Sequence, residues 1–272
     1  MPIPVDDPAD PRLADFAAVD PVRRRREVER AARAAGFLVA EGTLAVRRLI
    51  ASGRPLRAVL VDEVQHAALA DDLTGVDVPV YLGSRPLIEA TLGYAFHRGA
   101  IASADRDDGT TVDALLHGAR TVAVLEAISD LENLGSIFRN AAGLDVDAVV
   151  FGTGCADPLY RRAVRVSMGH ALLVPYAWAE AWPGDLTILR DNGFRLLAMT
   201  PEPSAATLSE AMATVGDERV AILVGAEGPG LTETAMRASD IRVRIPMSRG
   251  TDSLNVATAA ALAFYERVRL AR

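Results

Sequence analysis

From Thr121 to the C-terminus, short apolar runs alternate with helical segments, and that alternation leaves few folds open. TVAVLEAI (121–128), DAVVFG (147–152), ALLVPYAW (171–178), RLLAMT (195–200) and VAILVG (220–225) each have strand length, with helix-length stretches such as LGSIFRNAAGLD between them. A last strand, Ile241 to Met247, leads through the loop Ser248–Ser253 into an Ala-rich helix from Leu254, with Ser253 as its N-cap. Strands that alternate with helices predict a parallel sheet covered on both faces. Such sheets place ligands at the carboxyl ends of their strands, where several unusual residue clusters of this chain fall.

Ahead of this region the pattern is shorter. Residues 1–20 are rich in Pro and Asp and read as a flexible lead-in. A helix over 22–35, the segment FLVAEGTLAVRRLIASG, short strands at Leu56–Val61 and Val78–Leu82, and a helix LIEATLGYA capped by Ser84 make a small α/β unit over 21–104. Residues 105–111 read as a linker and 112–272 as the second domain.

At 272 residues with 50% hydrophobic content, the chain can bury a sizeable core. No window is long and apolar enough to span a membrane, the charged N-terminus does not resemble a signal peptide, and a cytoplasmic location is expected. The single cysteine, Cys155, excludes an internal disulfide and a cysteine-based metal cluster, and no metal is expected. A net charge of −7 argues against a general polyanion binder. Yet Arg23, Arg24, Arg25, Arg26, Arg30 and Arg33 cluster, interleaved with Glu27 and Glu29. A solvated helix face and an RNA contact are both open readings of that run.

Three clusters fall at predicted strand ends. The first, Asp130-Leu-Glu-Asn-Leu-Gly-Ser-Ile-Phe-Arg139, puts Asn133 and Gly135 in a strand-to-helix turn and Arg139 about one turn into the helix, where it can meet a phosphate. The second, Val224-Gly-Ala-Glu-Gly-Pro-Gly-Leu231, holds Glu227 in a tight glycine-rich loop. The third is Ile245-Pro-Met followed by Ser253-Leu-Asn-Val256, where a helix opening from a loop offers spare N–H groups. A fourth segment, Gly152-Thr-Gly-Cys-Ala-Asp157, nearly matches a dinucleotide fingerprint, but Asp157 would set a negative charge against the pyrophosphate. Phosphate-loop, zinc-protease and serine-hydrolase patterns are absent.

Together, Asn133-x-Gly-x-x-x-Arg139, Gly225-Ala-Glu-Gly-Pro-Gly-Leu231 and Ile245-Pro-Met…Ser253-Leu-Asn-Val256 resemble, in order and spacing, the three motifs of the SpoU/TrmH family of S-adenosylmethionine-dependent RNA ribose 2′-O-methyltransferases. Arg165-Val-Ser-Met-Gly169 with Val174-Pro175 is similar to the family's segment between its first and second motifs. The resemblance covers Thr121 to the C-terminus and implies a deep trefoil knot in the C-terminal domain. More loosely, FLVAEGTLAVRRLI and His97-Arg-Gly99 are similar to the family's RNA substrate-binding domain, which has a ribosomal-protein-like α/β fold. The resemblance further implies a cofactor site at Thr200, Gly225, Gly230, Ile245, Met247, Leu254 and Asn255, and catalytic roles for Arg139, Asn133, Glu227, Ser253 and Asn255. It implies a homodimer joined through the knotted domain, for which the final helix with Leu262, Phe264 and Tyr265 is the candidate surface. Ribosomal RNA is the favoured substrate over transfer RNA. A catalytically silent RNA binder and a related knotted guanine-base methyltransferase are the competing classes.

Overall fold

The computed structural model describes residues 1–17, 34–107, 109–248 and 250–271. The helix expected at 22–35 and the arginine run Arg23–Arg33 lie, all but residues 34 and 35, outside the described residues. In chain order the first elements are β1 (Ile3–Pro4), α1 (Ala14–Ala17), β2 (Phe37–Glu41), α2 (Thr43–Ala51), β3 (Leu56–Val61), α3 (Glu63–Ala68), β4 (Val80–Leu82), α4 (Arg85–Leu92) and β5 (Ala100–Asp105). Next come α5 (Val112–Leu115), β6 (Thr121–Glu126), α6 (Leu131–Gly143), β7 (Ala148–Phe151), α7 (Arg161–Val166), β8 (Tyr176–Trp178), α8 (Leu186–Asp191) and β9 (Phe194–Met199). The chain closes with β10 (Ala206–Thr207), α9 (Leu208–Val215), β11 (Arg219–Gly225), α10 (Glu233–Arg237), β12 (Ile241–Arg244) and α11 (Val256–Ala271).

These elements form two compact units, Met1–Asp107 with Pro158–Leu173, and Asp108–Asp157 with Val174–Arg272. The first holds a five-stranded sheet in the order β1-β4-β3-β5-β2, parallel between β1, β4 and β3 and antiparallel around β5. Two expectations change here. The N-terminal stretch is not a flexible lead-in over its described residues: Ile3 pairs with Tyr81, and Leu13 and Phe16 are fully buried in the core with Leu60 and Ile88. Burial of two large apolar side chains outweighs the local Pro and Asp bias. The segment Pro158–Leu173, expected within the second domain, belongs to the first unit. Gly169 comes so near α2 that an added Cβ would lie 3.0 Å from Ala45 Cα, and Arg48 Nη1 donates to the Met168 carbonyl.

The second unit carries a seven-stranded sheet, β10-β12-β9-β11-β6-β7-β8, parallel at every pairing. Its central strands are mostly apolar because helices cover both faces; β6 and β7 are buried at every position, Glu126 included. The run ALLVPYAW contains only a short strand: His170–Leu172 is a 3-10 turn, and Pro175, without an N–H, precedes the pairing at Tyr176. Helix α9 has no counterpart among the sequence-based expectations, although Thr207 and Glu210 form a capping box at its start.

The sheet order decides where a site can form. Strands β12, β9, β11 and β6 are consecutive neighbours and parallel. The residues beyond their carboxyl ends, near Ile245, Thr200, Gly225 and Ala127, therefore emerge on one edge of the sheet.

Candidate active site

Helix α6 starts earlier than the sequence suggests. The Asp130 side chain accepts from the Glu132 and Asn133 N–H groups at 2.9 Å, so Asn133 and Gly135 lie within the helix rather than in the turn before it. Asn133 and Asn140, two turns apart, share a face, and both reach the start of α11. Asn140 Nδ2 donates to the Ala257 carbonyl at 3.1 Å.

The α11 cap also moves. Asn255, not Ser253, is the capping residue: its Oδ1 accepts from the N–H groups of Ala257 at 3.0 Å and Thr258 at 3.1 Å. The same amide donates through Nδ2 to Asn133 Oδ1 at 2.7 Å and to Glu227 Oε1 at 2.8 Å. One side chain thus ties all three motifs together. An amide can do this because it carries acceptor and donor on one carbon; a carboxylate or hydroxyl could cap but could not also donate both bonds.

The glycine-rich loop after β11 folds back on itself. Gly230 N–H donates to the Ala226 carbonyl at 3.0 Å, and a Cβ on Gly225 would lie 2.2 Å from the Gly230 carbonyl carbon. Only glycine fits at position 225. This close packing leaves a cavity of about 460 Å³ between the loop and the segments after β9 and β12. Its walls include Thr200, Gly225, Glu227 and Gly230, and, from the third motif, Ile245, Met247, Ser253, Leu254 and Asn255. Sequence reading missed Met199, Val224 and Ala259, which add apolar wall; the first two lie at the ends of strands β9 and β11, a signal that was available. The volume suits a medium-sized organic ligand, and the lining joins an apolar floor to backbone and amide groups at the rim.

Two predicted residues stand outside that lining. Asn133 joins it through Asn255. Arg139 lies on the exposed side of α6 and has no hydrogen bond or ion pair with another described residue. Its guanidinium is available to an anion, whereas Arg267 and Arg219 are spent on backbone carbonyls. Cys155 offers no nucleophile: burial pushes its thiol up to about 11, so it stays protonated at neutral pH.

The model of the SpoU rRNA Methylase family matches residues 120–265, a span that contains all three motifs. The chain belongs to this family. This SpoU-family methyltransferase is 59% identical over 265 residues to an uncharacterized tRNA/rRNA methyltransferase of Mycobacterium tuberculosis, an alignment covering 97% of this chain and 91% of the relative. Its fold is shared with an AdoMet-bound rRNA methyltransferase from Sinorhizobium meliloti, at a TM-score of 0.81 and 20% identity, over 98% of this chain and 97% of that one. An RNA 2′-O ribose methyltransferase structure matches at a TM-score of 0.74 and 24% identity, over 100% of this chain and 99% of that chain. The SpoU-family match leaves residues 1–119 and 266–272 uncovered, but these structural matches extend over nearly the whole methyltransferase.

Proposed function

We propose that this methyltransferase moves a methyl group from S-adenosylmethionine to a ribose 2′-hydroxyl of RNA, with ribosomal RNA favoured over transfer RNA. The observation that carries the reading is the Asn255 amide, which joins Asn133, Glu227 and the start of α11 at the rim of the cavity. S-adenosylmethionine supplies a methyl group already activated on a sulfonium. The lining fits it: Thr200, Ile245 and Leu254 border a cleft with apolar walls, and the loop Gly225–Gly230 allows close backbone approach.

The protein's own contribution is alignment and management of one proton. Arg139 holds a phosphate of the substrate and stabilises negative charge developing on the ribose oxygen. An arginine keeps its proton near neutrality, so the 2′-hydroxyl proton leaves to a phosphate oxygen or water. Asn133 and Glu227 orient the ribose and the Arg139 helix, while Ser253 and Asn255 shape the pocket between cofactor and nucleophile.

The remaining expectations belong to the same reading. The chain threads a trefoil knot around the glycine-rich loop, the first unit forms the RNA-binding domain, and the protein works in the cytoplasm. Among the described residues, no helix is long and apolar enough to cross a membrane, and no cluster of metal-ligating residues occurs. A homodimer forms through α11, where Leu262, Tyr265 and Leu270 are exposed. Phe264 leaves that surface, because it is fully buried in the core.

Radiolabelled methyl transfer to unmodified ribosomal and transfer RNA, followed by nuclease mapping, tests the proposal. Label in a 2′-O-methylnucleoside of ribosomal RNA is expected. Label on a base, or in transfer RNA alone, corrects the chemistry or the substrate. No transfer to either RNA by a folded protein that binds the cofactor overturns the enzyme.

A further inference from the structure

A second cavity, of about 230 Å³, lies within the first unit and shares no lining residue with the cavity at the strand ends. It is lined by Glu41, Gly42, Thr43, Arg98, Arg165 and Met168, among others. It opens at the start of α2, a nine-residue helix whose N-cap is Gly42 and which has no side-chain cap. The positive end of the helix therefore faces the cavity uncompensated. Arg98 adds a cation at the same place: a Cβ on Gly42 would sit 3.0 Å from Arg98 Cδ. A cationic ligand would find this arrangement repulsive.

A buried arginine beside the cavity points the same way. Arg161 and Arg165 are four residues apart on α7, so they share a helix face. Arg165 lines the cavity. All three guanidinium nitrogens of Arg161 are buried, and none has a hydrogen-bond partner among the described residues. Both arginines act electrostatically on the Tyr94 hydroxyl, as does Glu41, which places them in one cluster. A buried guanidinium without a described partner is costly, and Glu41 is the single carboxylate on the cavity wall against two arginines, a helix N-terminus and the nearby Arg161. An anion with several acceptor oxygens answers that imbalance, and guanidinium groups match phosphate in both geometry and charge.

We propose that this cavity binds a phosphate group of the RNA substrate, held by Arg98 and Arg165 at the start of α2, with the buried Arg161 adding its positive charge from behind Arg165. The inference rests on the reading of the chain as an RNA methyltransferase. It also gives an acidic protein a local basic contact that its net charge of −7 does not suggest.

The test uses the full chain and a fluorescent short single-stranded RNA, with anisotropy read over a range of salt concentrations. Arg161→Gln and Arg98→Gln should each weaken RNA binding about tenfold and flatten the salt dependence by about one unit of slope, while cofactor affinity by calorimetry stays unchanged. Inorganic phosphate should raise the melting temperature of the parent but not of Arg161→Gln. Parent-like affinity and salt slope in both variants overturn the proposal. Loss of phosphate stabilisation with unchanged RNA binding would make it a free-phosphate site and overturn the RNA assignment. Should Arg161→Gln fail to fold, the exposed Arg98 decides alone. If the parent binds cofactor but no RNA, the RNA methyltransferase reading fails together with the pocket; if it binds RNA and the variants match it, the pocket alone fails.

Discussion

Asn255 Nδ2 donates to Glu227 Oε1 across 2.8 Å, although the two residues are 28 positions apart and belong to different strand-end loops. The opposite edge of the same amide caps α11. Cap and bridge can be separated chemically. Asn255→Asp keeps an effective N-cap. It also replaces the donor with a carboxylate facing Glu227 and Asn133 Oδ1, and like charges at that separation repel. The expected result is at least a tenfold loss of S-adenosylmethionine affinity by calorimetry and a lowered melting temperature. Adding Glu227→Gln should recover part of both, because one negative charge is gone and a donor is restored.

Arg139 has no described partner to lose, so its substitutions should leave stability within about 0.5 kcal/mol of the parent. Arg139→Ala is expected to reduce kcat by at least about a hundredfold, corresponding to one preorganised charge contact in the transition state. Arg139→Lys should recover only a small part, since lysine lacks the planar fork. Cofactor binding measured in parallel should not change. Near-normal turnover in both variants would remove Arg139 from the reaction.

Asn140 anchors α6 to the first turn of α11 through the Ala257 carbonyl. Asn140→Ala should cost about 1 kcal/mol of stability in chemical denaturation. It should lower kcat more than it raises KM for the cofactor, because the helix carrying Arg139 loses one of its two clasps.

Two glycines of the same loop should behave differently. Gly225→Ala would drive a Cβ into the Gly230 backbone at 2.2 Å, and neither chain segment can yield. Loss of soluble folded protein or of all cofactor binding is expected. Gly228 has φ +89° but nothing within 4 Å of a built Cβ. Gly228→Ala should therefore cost only backbone strain, about 1–2 kcal/mol, with a cavity that still binds cofactor.

Cys155 should resist alkylation in the native state. Burial, the largest influence, raises its pKa from 9.0 to about 11. Iodoacetamide at pH 8 should label it far more slowly in native than in denaturant-unfolded protein. The same shift has a sign for stability. The folded state holds the proton where the unfolded state has lost it, so this contribution is full below pH 9 and is lost as pH rises toward 11. Rapid native labelling would show that the thiol is accessible and ionised.

The sequence alone determined the class of the second unit and pointed to about half of the residues that line its cavity. Apolar strands alternating with helices are a short-range pattern, legible without tertiary information, and so are glycine-rich loops and an Asn or Arg at a strand end. Gly225 and Glu227 were readable in this way, Thr200, Ile245 and Asn255 were implied by the resemblance to the SpoU/TrmH family, and all five line the one cavity. The tertiary structure decided adjacency. That β11 lies between β9 and β6, and β12 beside β9, depends on pairings between strands distant in sequence, and only this order gathers the motif ends on one edge. It also decided that Asn255 rather than Ser253 caps α11, because the choice turns on partners at Asn133 and Glu227 that lie far away along the chain. The recruitment of Ile3–Pro4 and Pro158–Leu173 into the first unit has the same physical origin. Local composition gives a propensity, but burial against a distant surface sets the outcome.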